Sequence, residues 1–430
     1  MDVRYRIQGG APLVGEVTIS GSKNASLPLL AATLLCDGES VLENVPRLRD
    51  TDLMVEIMRY LGADVSFEGS TVRVKTAGLR SKPIPREMVS KLRGSIVLLG
   101  PLLARFGVVE MAYPGGCVLG KRPVHAHVEA LTQLGATDMS TDDVLHLQGT
   151  LRSGRVILPE FSVTATENVL MAAALTQGET RIDLAAVEPH VIDVVRFLGA
   201  AGAEIEWIGA HTAIVRGKQR LQGVTHRVVS DYLETGAMVI AALATRGRLT
   251  LHDVDDEHLV SFLATLRRAG AVWEYDAAAH TLLVDGGVSE LQAMKIQTNI
   301  FPGFPTDLQA PTGVLMTQAS GVSRIHEVLF EGRMAYLYEL EKMGAHIEIL
   351  NAHQALIIGP RALKGKTVAS NDIRAGVAMV IAALCAEGET IITDVHYIER
   401  GYSNLEEKLR ALGATIDRLE IPKGIPVVAR

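Results

Sequence analysis

One short signature constrains this chain more than any other feature. A Gly-Ala pair that closes an apolar segment and opens a polar, strand-like one returns six times, at intervals of about 70 residues. The copies read YLGADVSF, QLGATDMS, AAGAEIEW, RAGAVWEY, KMGAHIEI and ALGATIDR, with their glycines at Gly62, Gly135, Gly202, Gly270, Gly344 and Gly413. Each closes an amphipathic pattern. In DTDLMVEIMRYLGA, Leu53, Ile57 and Leu61 share a face with Met54 and Met58, while Glu56 and Arg59 fall opposite. Asp50 and Asp52 stand where a helix start favours negative charge, and Gly62 supplies the stop.

A second helix of another kind precedes each of these. SLPLLAATLL, RGSIVLLGPLLARFG, ATENVLMAAALTQG, LETGAMVIAALATRG, APTGVLMTQASG and RAGVAMVIAALCAEG are apolar nearly all round. A helix without a polar face is buried on every side, and Ala and Gly let such helices approach closely. Short alternating runs such as STVRVK and HQALIIG predict strands with one solvated face. Each unit therefore holds one buried helix, one half-buried helix and a few strands. The fold class is α/β, with helices inside and sheets outside, and six units over 430 residues suit two domains of three units each.

Composition narrows the function. The net charge of −7 and the lack of basic runs argue against nucleic acid as a partner. No apolar stretch reaches the roughly 20 residues of a membrane span, and the opening MDVRYRIQGG has no apolar targeting segment. Three cysteines, Cys36, Cys117 and Cys385, make no disulfide framework. The expectation is a soluble cytoplasmic protein.

Four segments carry chemistry that the repeat does not need. In SGSKNASLPLL, Lys23 and Asn24 stand at the start of a buried helix, where backbone N–H groups and a cation favour an anion; the plainer reading is a surface lysine beside an N-cap serine. In YPGGCVLGKRPVHAH, two glycines precede Cys117 and the cations Lys121 and Arg122 follow, the setting of a reactive thiol on a loop. Cys36 and Cys385, in apolar helical runs, read as inert. In NIFPGFPTDLQAP, Thr306 and Asp307 read either as an N-cap pair or as a carboxylate aimed to take a proton. Arg93, Arg333, Arg374 and Arg400 stand at matching repeat positions and suit phosphate or carboxylate. The 13 histidines are scattered; His125 and His127 lack the further ligands of a zinc site, so neither metal nor cofactor is expected.

The strings SGSKNASLP, PGGCVLGKRPV, FPGFPTDLQAP, FEGR, NDIRAG and ERGY together resemble the UDP-N-acetylglucosamine enolpyruvyl transferases over nearly the whole chain. The resemblance implies an inside-out α/β barrel of two domains. Residues 1–21 with 230–430 would form one domain, and residues 22–229 the other, which would carry a Cys117 lid; the active site would lie in the cleft between them.

It further implies transfer of the enolpyruvyl group of phosphoenolpyruvate to the 3-hydroxyl of UDP-N-acetylglucosamine, the first committed step of peptidoglycan synthesis. Lys23, Asn24, Arg93, Arg122, Arg374 and Arg400 would bind phosphoenolpyruvate. Asn24, Arg93, Arg122, Pro123, Val124, Ser162, Val163, Asp307, Leu329 and Arg333 would bind the UDP-sugar. Cys117, Asp307, Lys23 and Arg400 would be catalytic, with Asp307 as base and Cys117 as the thiol alkylated by fosfomycin. No cofactor is implied, and the protein would be a monomer or weak homo-oligomer. His125 stands where the family usually has Asp, and Thr164 where it has Gly. A different UDP-amino sugar therefore stays open as the acceptor. 5-Enolpyruvylshikimate-3-phosphate synthase, which shares fold and donor, is the other alternative.

Overall fold

A computed structural model describes residues 2–115 and 124–421. Contacts within the chain divide these into two compact units, one of residues 2–19 and 230–421, the other of residues 20–115 and 124–229. Each has its own apolar core.

The repeat signature is visible as backbone geometry. Gly62, Gly135, Gly202, Gly270, Gly344 and Gly413 all adopt a positive φ, between 93° and 115°. A side chain would meet the backbone in that region, so only glycine ends these helices without strain. The amphipathic helices they close include Arg49–Tyr60, Val260–Arg268 and Leu405–Ala411.

The apolar helices form the centre of each unit. In the first unit, Tyr232–Ala244, Gln309–Gln318 and Ile373–Cys385 pack against one another. Every residue of Tyr232–Ala244 is buried, as a helix with no polar face requires. In the second unit, Leu99–Phe106 packs on Val163–Ala174, and the 3-10 turn Arg93–Leu98 touches both Val163–Ala174 and Lys23–Thr33. The small residues permit close approach: a Cβ on Gly100 would stand 2.2 Å from the Asn168 carbonyl oxygen.

The sheets cover these helices. A repeat contributes three strands that lie in the order first, third, second and pair antiparallel, as Glu39–Glu43, Thr71–Lys75 and Asp64–Glu68 do. A further strand joins the first in parallel; here it is Thr225–Arg227. The alternation expected of STVRVK and HQALIIG is present in Thr71–Lys75 and Gln354–Gly359.

The last repeat, with strands Glu389–Thr393 and Thr415–Ile421, takes its remaining antiparallel strand from the chain's beginning. Asp2–Gln8 runs antiparallel between those two. Val14–Thr18 then runs parallel to Arg248–His252 in another sheet of the same unit. Ile19 donates its backbone N–H to His252 O in the first unit, and Ser22 donates to Val229 O in the second.

One local expectation is corrected. Cys36 lies in the short strand Cys36–Asp37, beyond the end of the Lys23–Thr33 helix, not within a helical run. Burial still pushes its thiol up to about 11, and burial pushes the Cys385 thiol up to about 12, so neither supplies thiolate at neutral pH. Asp50 and Asp52 lie in the first turn of Arg49–Tyr60, as expected, and Asp50 is buried there with its carboxylate against Lys23.

Candidate active site

The N-terminal ends of the three central helices in the first unit gather ionisable groups. Asp231 caps Tyr232–Ala244, its Oδ1 accepting from the backbone N–H of Leu233 and Glu234. Asp307 lies in the 3-10 turn Thr306–Leu308 that leads into Gln309–Gln318. Arg374 is the second residue of Ile373–Cys385, whose cap is Asp372. Packing of the helices brings these starts together.

Asp307 is the centre of the cluster. Arg333 Nη1 donates to its Oδ1 at 2.5 Å, and Arg374 Nε donates to its Oδ2 at 2.9 Å. Arg374 Nη1 also donates to the Tyr402 hydroxyl at 3.0 Å. Burial alone would raise the Asp307 pKa, but Arg374 and Arg333 outweigh it and hold the carboxyl well below the usual range. Burial pushes the Tyr402 phenol up to about 12, against the pull of Arg374, so the hydroxyl stays protonated. Asp307 therefore makes no helix cap. The neighbouring Thr306 is also diverted, donating through Oγ1 to Glu327 Oε2 at 2.8 Å.

The four arginines fall into two positional classes rather than one. Arg93 and Arg374 open or nearly open the segments leading into buried helices. Arg333 and Arg400 lie in 3-10 turns, Glu331–Met334 and Val395–Arg400, ahead of amphipathic helices. Arg400 is half-buried and stands two residues before Tyr402. Leu329, on the segment before Arg333, is exposed, and its N–H donates to Glu327 Oε1.

The second unit has its own cluster at helix starts. Ser22 caps Lys23–Thr33, its Oγ accepting from Ala25 N–H at 3.3 Å, as the plain reading of that segment expects. Lys23, however, is buried, with Nζ 3.2 Å from Asp50 Oδ2. Asn24 is half-buried beside it. Arg93 Nη1 donates to Pro114 O at 3.2 Å.

Ser162 caps Val163–Ala174 through Ala165 N–H. One residue into that helix, Thr164 Oγ1 meets His127 Nε2 at 2.8 Å. His127 lies on the helix His125–Gln133, whose N-cap is Val124. Burial first, then the charge of Arg93, lowers the His127 pKa to about 4, so this imidazole is neutral at pH 7. Glu167 lies further along the Val163 helix and is fully buried. Burial and the nearby Glu188 hold its carboxyl well above the ordinary range.

The structure thus groups Asp307, Arg333 and Arg374 directly and places Lys23, Arg93, Ser162 and Val163 at helix starts of the other unit. Cys117, Lys121, Arg122 and Pro123 lie outside the described residues. No cluster of His, Cys, Asp or Glu able to hold a metal ion occurs among the described residues. Sequence reasoning missed Tyr402, Asp231 and Asp50 as partners of the cationic groups. Tyr402 ends the ERGY string, and Asp231 has the form of an N-cap, but nothing local joins either to Arg374.

Central helices sheathed by sheets, in two units, are the architecture of the enolpyruvyl transferase class. Two solved structures share the fold: the enolpyruvyl transferase NikO from Streptomyces tendae, with a TM-score of 0.88 at 24% identity over 98% of this chain and 100% of that one, and the EPSP synthase of Acinetobacter baumannii, with a TM-score of 0.76 at 18% identity over 97% and 100%.

Residues 7–409 match the EPSP synthase (3-phosphoshikimate 1-carboxyvinyltransferase) family, and the chain belongs to it. Among its relatives, the UDP-N-acetylglucosamine 1-carboxyvinyltransferase of Shewanella amazonensis is 41% identical over 97% of this chain and 100% of its own length. That of Prosthecochloris aestuarii is 42% identical over 96% and 97%. The resemblance carried by the sequence motifs is thus upheld across nearly the full length.

Proposed function

We propose that this chain transfers the enolpyruvyl group of phosphoenolpyruvate to the 3-hydroxyl of UDP-N-acetylglucosamine and releases phosphate. The observation that carries the reading is the Asp307 carboxylate held between Arg333 and Arg374, in a chain whose relatives at 41 to 42% identity bear the name of that activity. The arrangement supplies both things the reaction needs. Phosphoenolpyruvate carries about three negative charges, which guanidinium forks recognise. The acceptor hydroxyl needs a carboxylate to take its proton.

In the reaction proposed, Asp307 accepts the proton of the acceptor hydroxyl as its oxygen bonds to C2 of phosphoenolpyruvate. The C3 methylene gains a proton, giving a tetrahedral adduct that still holds phosphate. Loss of a proton from the new methyl group and departure of phosphate restore the double bond. The hydroxyl proton ends on the phosphate, so no oxidant, reductant or cofactor is consumed.

Lys23, Arg122, Arg374 and Arg400 are assigned to the phosphate and carboxylate of the donor, with Asn24 and Arg93 alongside. Ser162, Val163, Pro123, Val124, Leu329 and Arg333 are assigned to the sugar nucleotide. Cys117 is assigned to proton transfer at the C3 carbon or to product release. No helix among the described residues is long and apolar enough to cross a membrane. A cytoplasmic place in peptidoglycan synthesis, as a monomer or weak homo-oligomer, belongs to the same proposal.

A phosphate-release assay with phosphoenolpyruvate and a panel of acceptors tests the reading. The expected result is release with UDP-N-acetylglucosamine and little with shikimate 3-phosphate. Release with shikimate 3-phosphate alone, or with none of the acceptors, overturns it.

A further inference from the structure

Asp231 and Asp307 act on Arg374, and Glu327 holds the Thr306 hydroxyl beside Asp307; the three carboxylates are held differently. Asp231 Oδ1 is tied to the backbone of its own helix, at Leu233 and Glu234. Glu327 is tied by Thr298 Oγ1, Thr306 Oγ1 and the N–H groups of Leu329 and Phe330, and it is fully buried. Among the described residues, the hydrogen bonds of the Asp307 side chain run only to the two guanidiniums. Its carboxylate is also the exposed member of the trio: 23% of the side chain is accessible, against 4% for Arg333 and 6% for Arg374. Of the three side chains, Asp307 offers the most surface to an arriving anion.

The guanidiniums have reason to stay where they are. Arg374 Nη1 is anchored on the Tyr402 hydroxyl, 3.0 Å away. The Arg333 guanidinium lies 5.0 Å from the centre of the Phe330 ring. Arg333 Nε is buried without a hydrogen-bond partner among the described residues, a donor that a larger anion could satisfy. Asp307, by contrast, sits in a three-residue 3-10 turn and can leave by rotation of its own side chain.

Two cations facing one monocarboxylate keep a net positive charge, so a trianion binds them more strongly than Asp307 does. A carboxylate fastened to two guanidiniums is a poor proton acceptor, yet the reaction proposed above needs it as the base. We infer that Asp307 occupies, before the donor binds, the place of the substrate anion on Arg374 and Arg333, so that Arg333 serves the donor as well as the sugar nucleotide, and that phosphoenolpyruvate frees Asp307 to act as base by taking over those guanidiniums. The inference rests on the enolpyruvyl-transfer reading and deepens it: arrival of the donor and activation of the base become one event. The acceptor hydroxyl then meets a competent base only when the carbon it must attack is already in place.

Binding competition gives the test. If Asp307 must leave before the anion binds, the apparent affinity is reduced by the fraction of time the arginines are unoccupied. Removing the competitor removes that reduction. Calorimetric titration of the full chain with phosphoenolpyruvate alone, and separately with inorganic phosphate alone, would compare wild type with Asp307→Asn and Asp307→Ala. Two variants guard against one that does not fold.

The expected result is phosphoenolpyruvate binding tighter by roughly tenfold or more in the variants, with turnover lost. Unchanged or weaker binding in the folded variants overturns the inference. The two readings fail separately. A wild-type protein that releases no phosphate with any acceptor defeats the enolpyruvyl-transfer reading, whereas affinity unchanged by loss of Asp307 in an enzyme that turns over defeats only the competition.

Discussion

Lys23 and Asp50 form a buried ion pair: Nζ stands 3.2 Å from Oδ2, and the two side chains are 11% and 3% accessible. Lys23 begins one of the central helices, and Asp50 lies in the first turn of the neighbouring amphipathic helix of the same repeat. Desolvating an ammonium is costly, and a carboxylate at this distance offsets much of that cost. The same pairing keeps the charged end of Lys23 at a helix start, where an anion is favoured.

Loss of one partner removes the direct pairing that offsets the other's burial. Lys23→Ala is expected to cost about 3 kcal/mol of stability, and the double variant Lys23→Ala, Asp50→Asn should recover part of it. Urea unfolding of the two single variants and the double variant closes the cycle. Strict additivity would show that the pair does not interact.

Arg374 bridges Asp307 and Tyr402 through two different nitrogens. A lysine keeps the charge but cannot present that planar fork. Arg374→Lys is expected to lower kcat/KM for phosphoenolpyruvate by about a hundredfold, or about 2.7 kcal/mol. Steady-state kinetics at saturating acceptor measures it, and a fall of less than threefold would show that a point charge suffices.

His127 makes stability fall in acid. Burial, then Arg93, sets its folded pKa at about 4, below the roughly 6.5 of an unfolded histidine. Between those values the unfolded chain binds the proton and the folded one does not, so unfolding is favoured as pH falls. The contribution reaches about 3 kcal/mol near pH 4. His127→Asn should flatten the pH dependence of the urea midpoint between pH 6.5 and 4; a slope unchanged from wild type would contradict the burial argument.

The repeat glycines should not be equal. All six need a positive φ, but a Cβ at Gly413 would meet nothing within 4 Å, whereas one at Gly62 would come within 2.3 Å of Gly78 O. Gly413→Ala should therefore cost only the backbone strain, about 1 to 2 kcal/mol. Gly62→Ala should cost clearly more, because the backbone of residue 78 must also move. Thermal midpoints of the two variants rank them, and equal losses would mean that the 62–78 contact relaxes freely.

Much of this was legible in the chain itself, and the misses share a cause. Gly62 and its five counterparts announce helix ends because φ is a property of one residue and its neighbours. The all-apolar segments announce the central helices because burial follows from their lack of a polar face. Asp307 was marked as a site candidate by its surroundings, FPGFPTD, yet the same string taken alone reads more readily as an N-cap. What separates the two is Arg374, 67 residues away. The partnerships of Tyr402 with Arg374 and of Asp50 with Lys23 escaped notice because each joins segments far apart in the chain.

By itself the sequence determined the period of about 70 residues, the two kinds of helix and the chemical character of the sites, since these rest on local propensity and patterning. Tertiary structure alone decided which charges meet: Lys23 with Asp50, and Asp307 with Arg333 and Arg374. It also decided that Asp2–Gln8 completes the sheet of the last repeat. Periodicity tells each segment what to bury and leaves open what to bury it against. That choice is made when helices pack and strands find an open edge, between residues the chain keeps far apart.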